Sequence, residues 1–400
     1  MILNRIESSL SFNNIKSTPS RARHKMSRYL SRFGSRLSSH GIIGSSWMTT
    51  TTTARSSCHP QKIYTRQFAK VSALSLNAKK RKGKKISMVT AYDYPSAVHV
   101  ARAGIDLILV GDSVAMVELG HETTQEMETD DMVHHCKAVK LGLEFVKSGS
   151  MLVGDMPFGT YEYEDTDIAL RNAYRFVKEG GCDAVKLEGG SVARAKTARR
   201  IVDGGVAVMG HVGLTPQAIS VIGGFRAQGR TAVRARELLD DALRLQDAGC
   251  FAVVLECIPA NVAAAITETL EIPTIGIGAG GGTSGQVLVF HDMLGMLSHP
   301  QHDQFVPKFC KKYAQVGLAI QGGLKEFKDD VESGVFPGED YSPYKMTEEE
   351  QAIFERLLQK DAEHRRRQHE IAAKKLSQAD EYETLKLYGD NNSNNNNKGK

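Results

Sequence analysis

Short apolar runs that end at an acid or a histidine recur along the chain. The runs are LILVGD, MLVGD, VKLE, VMGH, VVLE and MVTAYD, and they end at Asp112, Asp155, Glu188, His211, Glu256 and Asp93. Buried parallel strands with polar residues at their carboxyl ends are typical of a (β/α)8 barrel, which collects its active-site groups on one face. The pattern therefore predicts that these polar residues face a single shared site.

Strand-like and helix-like segments alternate through the body of the chain. The predicted strands cover residues 86–92, 107–112, 151–155, 184–188, 207–211, 252–257, 273–277 and 287–290. Between them lie stretches of helical period, such as RARELLDDALRLQDAG, which Gly249 is expected to end. A doubly wound sheet is the alternative. Eight closely spaced units favour an α/β fold of the TIM-barrel type.

The chain of 400 residues exceeds the roughly 250 that such a barrel needs. We predict a basic, mostly disordered segment at 1–83, a catalytic barrel at 84–340, a charged helical extension at 341–388 and a disordered Asn-rich tail at 389–400. The stretch 305–334 is expected to form two helices that pack outside the barrel.

Basic residues are concentrated near the amino terminus. Residues 1–86 hold eighteen Lys and Arg and a single acid, Glu7, whereas the net charge of the whole chain is only +5. Arg28, Arg32 and Arg36 share one helical face, which is typical of a mitochondrial presequence. A disordered tail and an RNA-binding arm are the alternatives. The remaining, acidic body argues against a nucleic-acid partner for the core, and no apolar run predicts a membrane span.

Six cysteines occur without a CxxC pairing. They are Cys58, Cys136, Cys182, Cys250, Cys257 and Cys310. Buried free thiols in a reducing compartment are the expected state.

Ten segments in order resemble one enzyme family. They are TAYDYPSA, LVGDSVAM, GHETT, DMPF, AVKLEGG, GHVGLTPQ, GGFRAQGR, LECIP, IPTIGIGAG and GQVLVFHDMLG. They resemble ketopantoate hydroxymethyltransferases, and the resemblance runs from about residue 84 to 339. It implies transfer of a hydroxymethyl group from 5,10-methylenetetrahydrofolate to 3-methyl-2-oxobutanoate, through a magnesium-stabilised enolate, in pantothenate and coenzyme A biosynthesis. It also implies a homo-oligomer.

The strand-end carboxylates suit a Mg²⁺ site. Asp112 and Asp155 would be hard oxygen ligands, and Glu188 would complete the acidic set directly or through water. Without a cation, converging carboxylates would repel one another. A lone strand-end Asp is more commonly a helix N-cap, so this interpretation depends on several acids within one matching family pattern.

The resemblance also implies which residues bind the substrate and which one acts as the base. Asp112, Ser113, Asp155 and Lys186 would bind the 2-oxo acid, and the Lys186 ammonium would offset its charge. Glu256 matches the base that removes the proton at C3. Tyr92, Asp93 and His211 lie at the same predicted face without an assigned role.

Weaker signals leave alternatives open. Arg226 and Arg230 in GGFRAQGR could meet the glutamate tail of folate at the mouth of the site, or they could form fold-supporting ion pairs. No motif identifies the folate-binding residues. The rival functions are another magnesium-dependent 2-oxo acid aldolase or lyase, and a noncatalytic scaffold.

Overall fold

Eight parallel strands close into a barrel in the order in which they occur along the chain. The computed structural model describes residues 69–224, 226–296 and 307–387. The strands are β1 (Ile86–Thr90), β2 (Leu107–Val110), β3 (Met151–Asp155), β4 (Ala184–Lys186), β5 (Ala207–Gly213), β6 (Ala252–Glu256), β7 (Thr274–Ile277) and β8 (Gly285–Leu288). Each strand pairs with the next, and β8 pairs with β1. The predicted TIM barrel is confirmed.

Helices connect most of these strands, and others precede β1 and follow β8. They are α1 (Ala73–Arg81), α2 (Tyr94–Arg102), α3 (Val114–Val117), α4 (Thr129–Phe145), α5 (Thr166–Lys178), α6 (Val192–Asp203), α7 (Ile219–Ile222), α8 (Ala232–Asp247), α9 (Ala260–Thr269), α10 (Phe290–Leu294), α11 (Val316–Ser333) and α12 (Glu348–Leu387). Short 3-10 turns occur at Pro216–Ala218 and Glu339–Tyr341. Gly249 follows the end of α8 and has a φ of 91°. This left-handed conformation ends a helix and favours glycine, as the sequence analysis expected.

Alternation along the strands sets the chemistry of the barrel interior. A buried cluster takes residues from all eight strands, including Met151 and Val153 of β3 and Val254 of β6. Side chains of a strand point to one face at every second residue, so Asp155 and Glu256 are the next inward positions. The same period that fills the lower barrel with apolar side chains therefore places acids at its carboxyl-terminal end.

Helix α1 covers the opposite, amino-terminal end of the barrel. Leu76 is fully buried in the interior cluster. The Lys80 ammonium donates hydrogen bonds of 2.9 Å to the carbonyls of Thr267 and Ile272, the second of which lies just before β7. The sequence analysis placed this stretch within the basic segment at 1–83. Within it, Lys80 satisfies backbone carbonyls at the base of the barrel, and α1 closes this end.

The surrounding helices bury one face against the strands. In α5 the buried residues Ala169, Ala173 and Phe176 recur at three- and four-residue intervals, which gives one apolar stripe. The described cysteines are free thiols, of which Cys136, Cys182 and Cys250 are buried and Cys257 and Cys310 partly exposed.

The prediction of two packed helices after the barrel is wrong. Within residues 307–334 the structure has one helix, α11, preceded by an extended segment. The Tyr313 backbone amide donates to the Met293 carbonyl over 2.7 Å, and the Gly317 amide, at the start of α11, donates to the Gly295 carbonyl over 2.9 Å. These bonds hold the chain against the end of α10, so the Tyr313 amide is not available for a helical hydrogen bond. Only Gly317 of α11 is buried, so its apolar side chains do not pack on the barrel.

The predicted charged helix near the carboxyl terminus is present as α12, and its residues 348–379 are exposed. Among the described residues, no helix is long and apolar enough to cross a membrane. The predicted presequence helix, Cys58 and the Asn-rich tail lie outside the described residues, and the predicted domain boundaries stay predictions.

Candidate active site

A cavity of about 1150 Å³ opens at the carboxyl ends of the strands. The sequence-predicted residues that line it are Asp112, Ser113, Asp155, Lys186, Glu188, His211 and Glu256. Asp112 and Glu188 lie two residues past β2 and β4, whereas Asp155, Lys186 and Glu256 are the last residues of β3, β4 and β6. The barrel thus brings residues from distant parts of the sequence to one wall.

Asp155 and Lys186 form a buried ion pair. They are register partners at the ends of β3 and β4, so their side chains project side by side. The Lys186 ammonium donates to both carboxylate oxygens of Asp155, over 2.8 Å to Oδ1 and 2.7 Å to Oδ2. Both side chains are almost inaccessible to solvent. This two-point contact fixes the position of the ammonium within the site.

Burial and neighbouring carboxylates control ionisation of the pair. Burial raises the pKa of Asp155 to about 7, against the opposing charge of Lys186, and the negative charge of Asp112 adds to the increase. Burial would lower the pKa of Lys186, but the carboxylates of Asp155, Glu188 and Asp112 outweigh it and raise that pKa. Lys186 is therefore a permanent cation in a site dominated by acids.

Gln217 is a buried residue that the sequence analysis did not single out. Its side-chain amide donates to Oδ2 of Asp112 over 2.9 Å and to the carbonyl of Met156 over 3.0 Å, and its Oε1 accepts the Tyr161 hydroxyl. Its backbone amide donates to Oε2 of Glu188 over 3.1 Å. Every side-chain hydrogen-bonding group of Gln217 is satisfied, so its position is fixed. The matching segment GHVGLTPQ ends at this glutamine and was the available signal.

Glu188 lies beside Lys186 and Tyr161 within the acidic wall. Its Oε1 lies 3.6 Å from Nζ of Lys186, and its backbone amide donates to the Tyr161 hydroxyl over 3.1 Å. Burial raises the pKa of Glu188 well above its ordinary value, and the charges of Asp112 and Asp155 add to the increase. Lys186 is thus the one cation among the described residues that lies within ion-pair distance of both Asp155 and Glu188.

Glu256 is placed by a close approach of β5 to β6. Gly213 has φ of 105°, and a Cβ atom there would lie 2.2 Å from the Glu256 carbonyl oxygen, so only glycine fits. Burial raises the pKa of Glu256 to about 8, Lys186 opposes this, and the charges of Asp112 and Asp155 add to it. A carboxylate with this pKa is suited to proton transfer near neutral pH.

His211 lies beside Glu256 in a neutral form. Burial lowers its pKa well below the ordinary value, and the charge of Lys186 adds to the decrease. Nε2 is 2.6 Å from the Leu214 carbonyl, which can only accept, so Nε2 carries the proton. Nε2 also lies 3.4 Å from Oε2 of Glu256, and Nδ1 lies 3.7 Å from Oε1 of Glu188. His211 therefore spans the two glutamates without adding charge.

Tyr92 and Asp93 have different surroundings. The Tyr92 ring stacks on His291, and the Tyr92 hydroxyl lies 2.7 Å from the Ser113 hydroxyl. The contact with Tyr92 holds Ser113, which lines the cavity. The Asp93 carboxylate accepts the Ser96 backbone amide over 2.8 Å and caps α2. Asp93 is absent from the described cavity lining, so its strand-end position reflects helix capping.

The acidic wall suits a divalent cation held by few protein ligands. No group of three or more His, Cys, Asp or Glu side chains is arranged to hold a metal ion in the part of the chain that the structure describes. Mg²⁺, however, commonly binds one or two carboxylates and keeps waters in its other positions. Oδ2 of Asp155 lies 3.3 Å from the Asp112 backbone amide, which brings these two acids together. The surplus of buried carboxylates over Lys186 supplies the charge that such an ion would balance.

Known proteins resemble the chain over the region that builds this site. A family model described as ketopantoate hydroxymethyltransferase matches residues 70–339. A protein of Arabidopsis thaliana named 3-methyl-2-oxobutanoate hydroxymethyltransferase 1, mitochondrial, is 55% identical over 73% of this chain and 82% of its own length. A protein of the same name from Oryza sativa subsp. japonica is also 55% identical, over 73% of this chain and 79% of its own length. A 3-methyl-2-oxobutanoate hydroxymethyltransferase of Heliobacterium modesticaldum is 49% identical over 69% of this chain and 95% of its own length. The chain therefore belongs to the ketopantoate hydroxymethyltransferase family.

Proposed function

We propose that the chain transfers a hydroxymethyl group from 5,10-methylenetetrahydrofolate to 3-methyl-2-oxobutanoate and so forms 2-dehydropantoate for pantothenate synthesis. The observation that carries this is the placement of Glu256, with a pKa of about 8, in the same cavity as the buried Lys186–Asp155 pair. One group is suited to accept a proton and the other to bind an anionic substrate. The family relationship supports the same reaction.

Asp112 and Asp155 would hold a Mg²⁺ ion. The bound ion would act as a Lewis acid for the keto oxygen of the substrate and make the proton at C3 more acidic. Glu188 would join this site through water, because its Oε2 accepts the Gln217 backbone amide and its Oε1 lies near Lys186. Gln217 would orient Asp112 through Oδ2 and leave Oδ1 for the cation.

Glu256 would take the proton from C3 of 3-methyl-2-oxobutanoate. The substrate carboxylate would lie near the Lys186 ammonium, with Ser113 as a hydrogen-bond partner held by Tyr92. C3 then forms a bond with the methylene carbon of the folate, both bonds from that carbon to the folate nitrogens break, and water supplies the hydroxyl oxygen. The two nitrogens take up the proton that Glu256 accepted from C3 and one proton of the water. Neutral His211 would limit movement of Glu256 without competing for the proton.

Product analysis separates this proposal from its rivals. The purified full-length chain is incubated with 3-methyl-2-oxobutanoate and Mg²⁺, with and without 5,10-methylenetetrahydrofolate, and products are identified by mass spectrometry. Folate-dependent 2-dehydropantoate supports the proposal. Cleavage or condensation of 2-oxo acids without folate would indicate an aldolase or lyase. No turnover together with retained folding would favour a noncatalytic scaffold.

We also propose mitochondrial import and assembly into a homo-oligomer. The plant relatives carry mitochondrial names, and residues 1–83 have the basic composition of a presequence. Amino-terminal sequencing of the protein from mitochondrial and cytosolic fractions tests import, because a mature chain that starts at Met1 and occurs only in the cytosol would contradict it. Light scattering of the purified protein tests assembly, and a monomer at micromolar concentration would contradict it.

A further inference from the structure

Three cationic side chains without acidic partners line the cavity. Arg226, Arg230 and Lys308 are exposed and form no ion pair with the described residues. Several other exposed arginines have acidic partners, as in Arg234 with Glu237 at 2.7 Å. The alternative role for Arg226 and Arg230 was to form ion pairs that support the fold. The described part of the chain contains no such pair for either arginine. Unpaired cations at a cavity favour an anionic ligand.

The loop that carries the two arginines is fixed beside the proposed base. The Gln228 backbone amide donates to the carbonyl of Cys257, the residue after Glu256, over 2.9 Å. Gly229 is buried with φ of 68°, and a Cβ atom there would lie 2.7 Å from the Leu238 side chain. This close packing holds the loop, so Arg226 and Arg230 occupy defined positions on either side of an anchored segment.

The cavity has room for a second, larger ligand. Pockets of drug-sized ligands are roughly 300–1,000 Å³, and this cavity, at about 1150 Å³, is larger. A small 2-oxo acid would fill only the polar wall. Met116, Ile258 and Phe309 add apolar lining, and Phe309 packs so closely on Gly278 that a Cβ atom there would lie 2.6 Å from its ring. A flat aromatic molecule with an anionic end matches this combination.

We propose that Arg226, Arg230 and Lys308 bind the glutamate carboxylates of the folate co-substrate, with its aromatic part against Phe309. This inference rests on the proposed function, which supplies the identity of the second substrate. The tail carries two carboxylates, and arginine pairs with a carboxylate through two parallel hydrogen bonds. The methylene carbon would then point towards the acidic wall, where the reaction occurs.

A ligand-truncation cycle tests the assignment. Binding of tetrahydropteroylglutamate and of tetrahydropteroate, which lacks the glutamate, is measured by calorimetry on the full chain and on the double variant Arg226→Gln, Arg230→Gln. In the parent, removal of the glutamate is expected to weaken binding about tenfold. In the double variant the preference for the glutamate form should fall to about threefold, because only Lys308 still pairs with the tail. Lys308→Gln alone should weaken only the glutamate form, roughly threefold.

The control is Arg234→Gln, an exposed position on α8 outside the cavity lining. It should preserve the parental difference between the two ligands. A double variant that still prefers the glutamate form by the parental factor would overturn the assignment. Binding needs no turnover, so a parent that binds both ligands as expected but forms no 2-dehydropantoate would overturn the proposed function alone.

Discussion

The side-chain amide of Gln217 donates a hydrogen bond of 2.9 Å to Oδ2 of Asp112. The same residue contacts Glu188 through its backbone amide, so one glutamine on the loop after β5 connects two acids of the proposed metal site. Residues that orient metal ligands commonly influence affinity nearly as strongly as the ligands. Gln217 is therefore expected to act as a positioning residue for Mg²⁺.

Gln217→Met should weaken Mg²⁺ binding about tenfold and lower the free energy of unfolding by about 3 kcal/mol. The substitution leaves Oδ2 of Asp112, the Met156 carbonyl and the Tyr161 hydroxyl without this partner. Calorimetric Mg²⁺ titration and urea unfolding measure the two effects. Gln125→Met is the control, since the Gln125 side-chain amide donates to the Gln217 carbonyl and not to the acids. Unchanged Mg²⁺ affinity in Gln217→Met would reject the positioning role.

Asp112→Ala and Asp93→Ala should separate a metal ligand from a helix cap. Asp112→Ala is expected to weaken Mg²⁺ and 2-oxo acid binding together, because both ligands share this carboxylate in the proposed site. Asp93→Ala removes the α2 cap and should cost about 1 kcal/mol of stability with Mg²⁺ binding retained. Titration of both variants with Mg²⁺ distinguishes them. Equal Mg²⁺ dependence in Asp112→Ala and the parent would contradict the assignment.

Two-residue periodicity explains why much of the site could be predicted. An apolar strand interior that ends in Asp155 or Glu256 shows which residues point inward, and barrel closure brings the strand ends together. The same pattern is ambiguous for Asp93, whose carboxylate caps a helix instead. Capping and catalysis use the same residue types at strand ends, so sequence alone did not separate them.

Loop residues were harder to predict because they have no period. Gln217 lies in the 3-10 turn after β5, and its side chain is held by contacts with distant residues such as Asp112 and Tyr161. The segment before α11 resembles a helix in composition, but its backbone pairs with the end of α10. Both features arise from tertiary contacts that local sequence does not encode.

Lys186→Met should destabilise the protein by about 3–5 kcal/mol, because it leaves the Asp155 carboxylate buried without its cation. The pKa of Asp155, already about 7, should rise further once the opposing charge is lost. Urea unfolding at neutral pH measures the loss. Lys70→Met is the matched control, since Lys70 pairs with Asp183 at 2.6 Å near the surface and should cost below about 1 kcal/mol. Equal losses in the two variants would argue against a tightly coupled buried pair.

Glu256→Gln should abolish exchange of the C3 proton of 3-methyl-2-oxobutanoate while Mg²⁺ and substrate still bind. In the parent the exchange rate should rise with pH until Glu256 is ionised, because only the ionised carboxylate accepts a proton. Exchange in deuterated water, followed by NMR, measures both effects. Normal exchange in the variant would exclude Glu256 as the base.

The same variant should be more stable than the parent in alkaline, metal-free solution. The pKa of Glu256 is about 8 in the folded protein and near its ordinary 4.5 in the unfolded chain, so the folded state binds the extra proton between these values. The contribution of Glu256 to the free energy of unfolding therefore falls as pH rises from about 4.5 to about 8. Above that range the neutral Gln should be favoured by at most roughly 5 kcal/mol, whereas below pH 4.5 the two proteins should match. Urea unfolding across pH measures the difference, with Glu237→Gln on the surface of α8 as the control. A constant difference at all pH values would show that burial does not disfavour the ionised base.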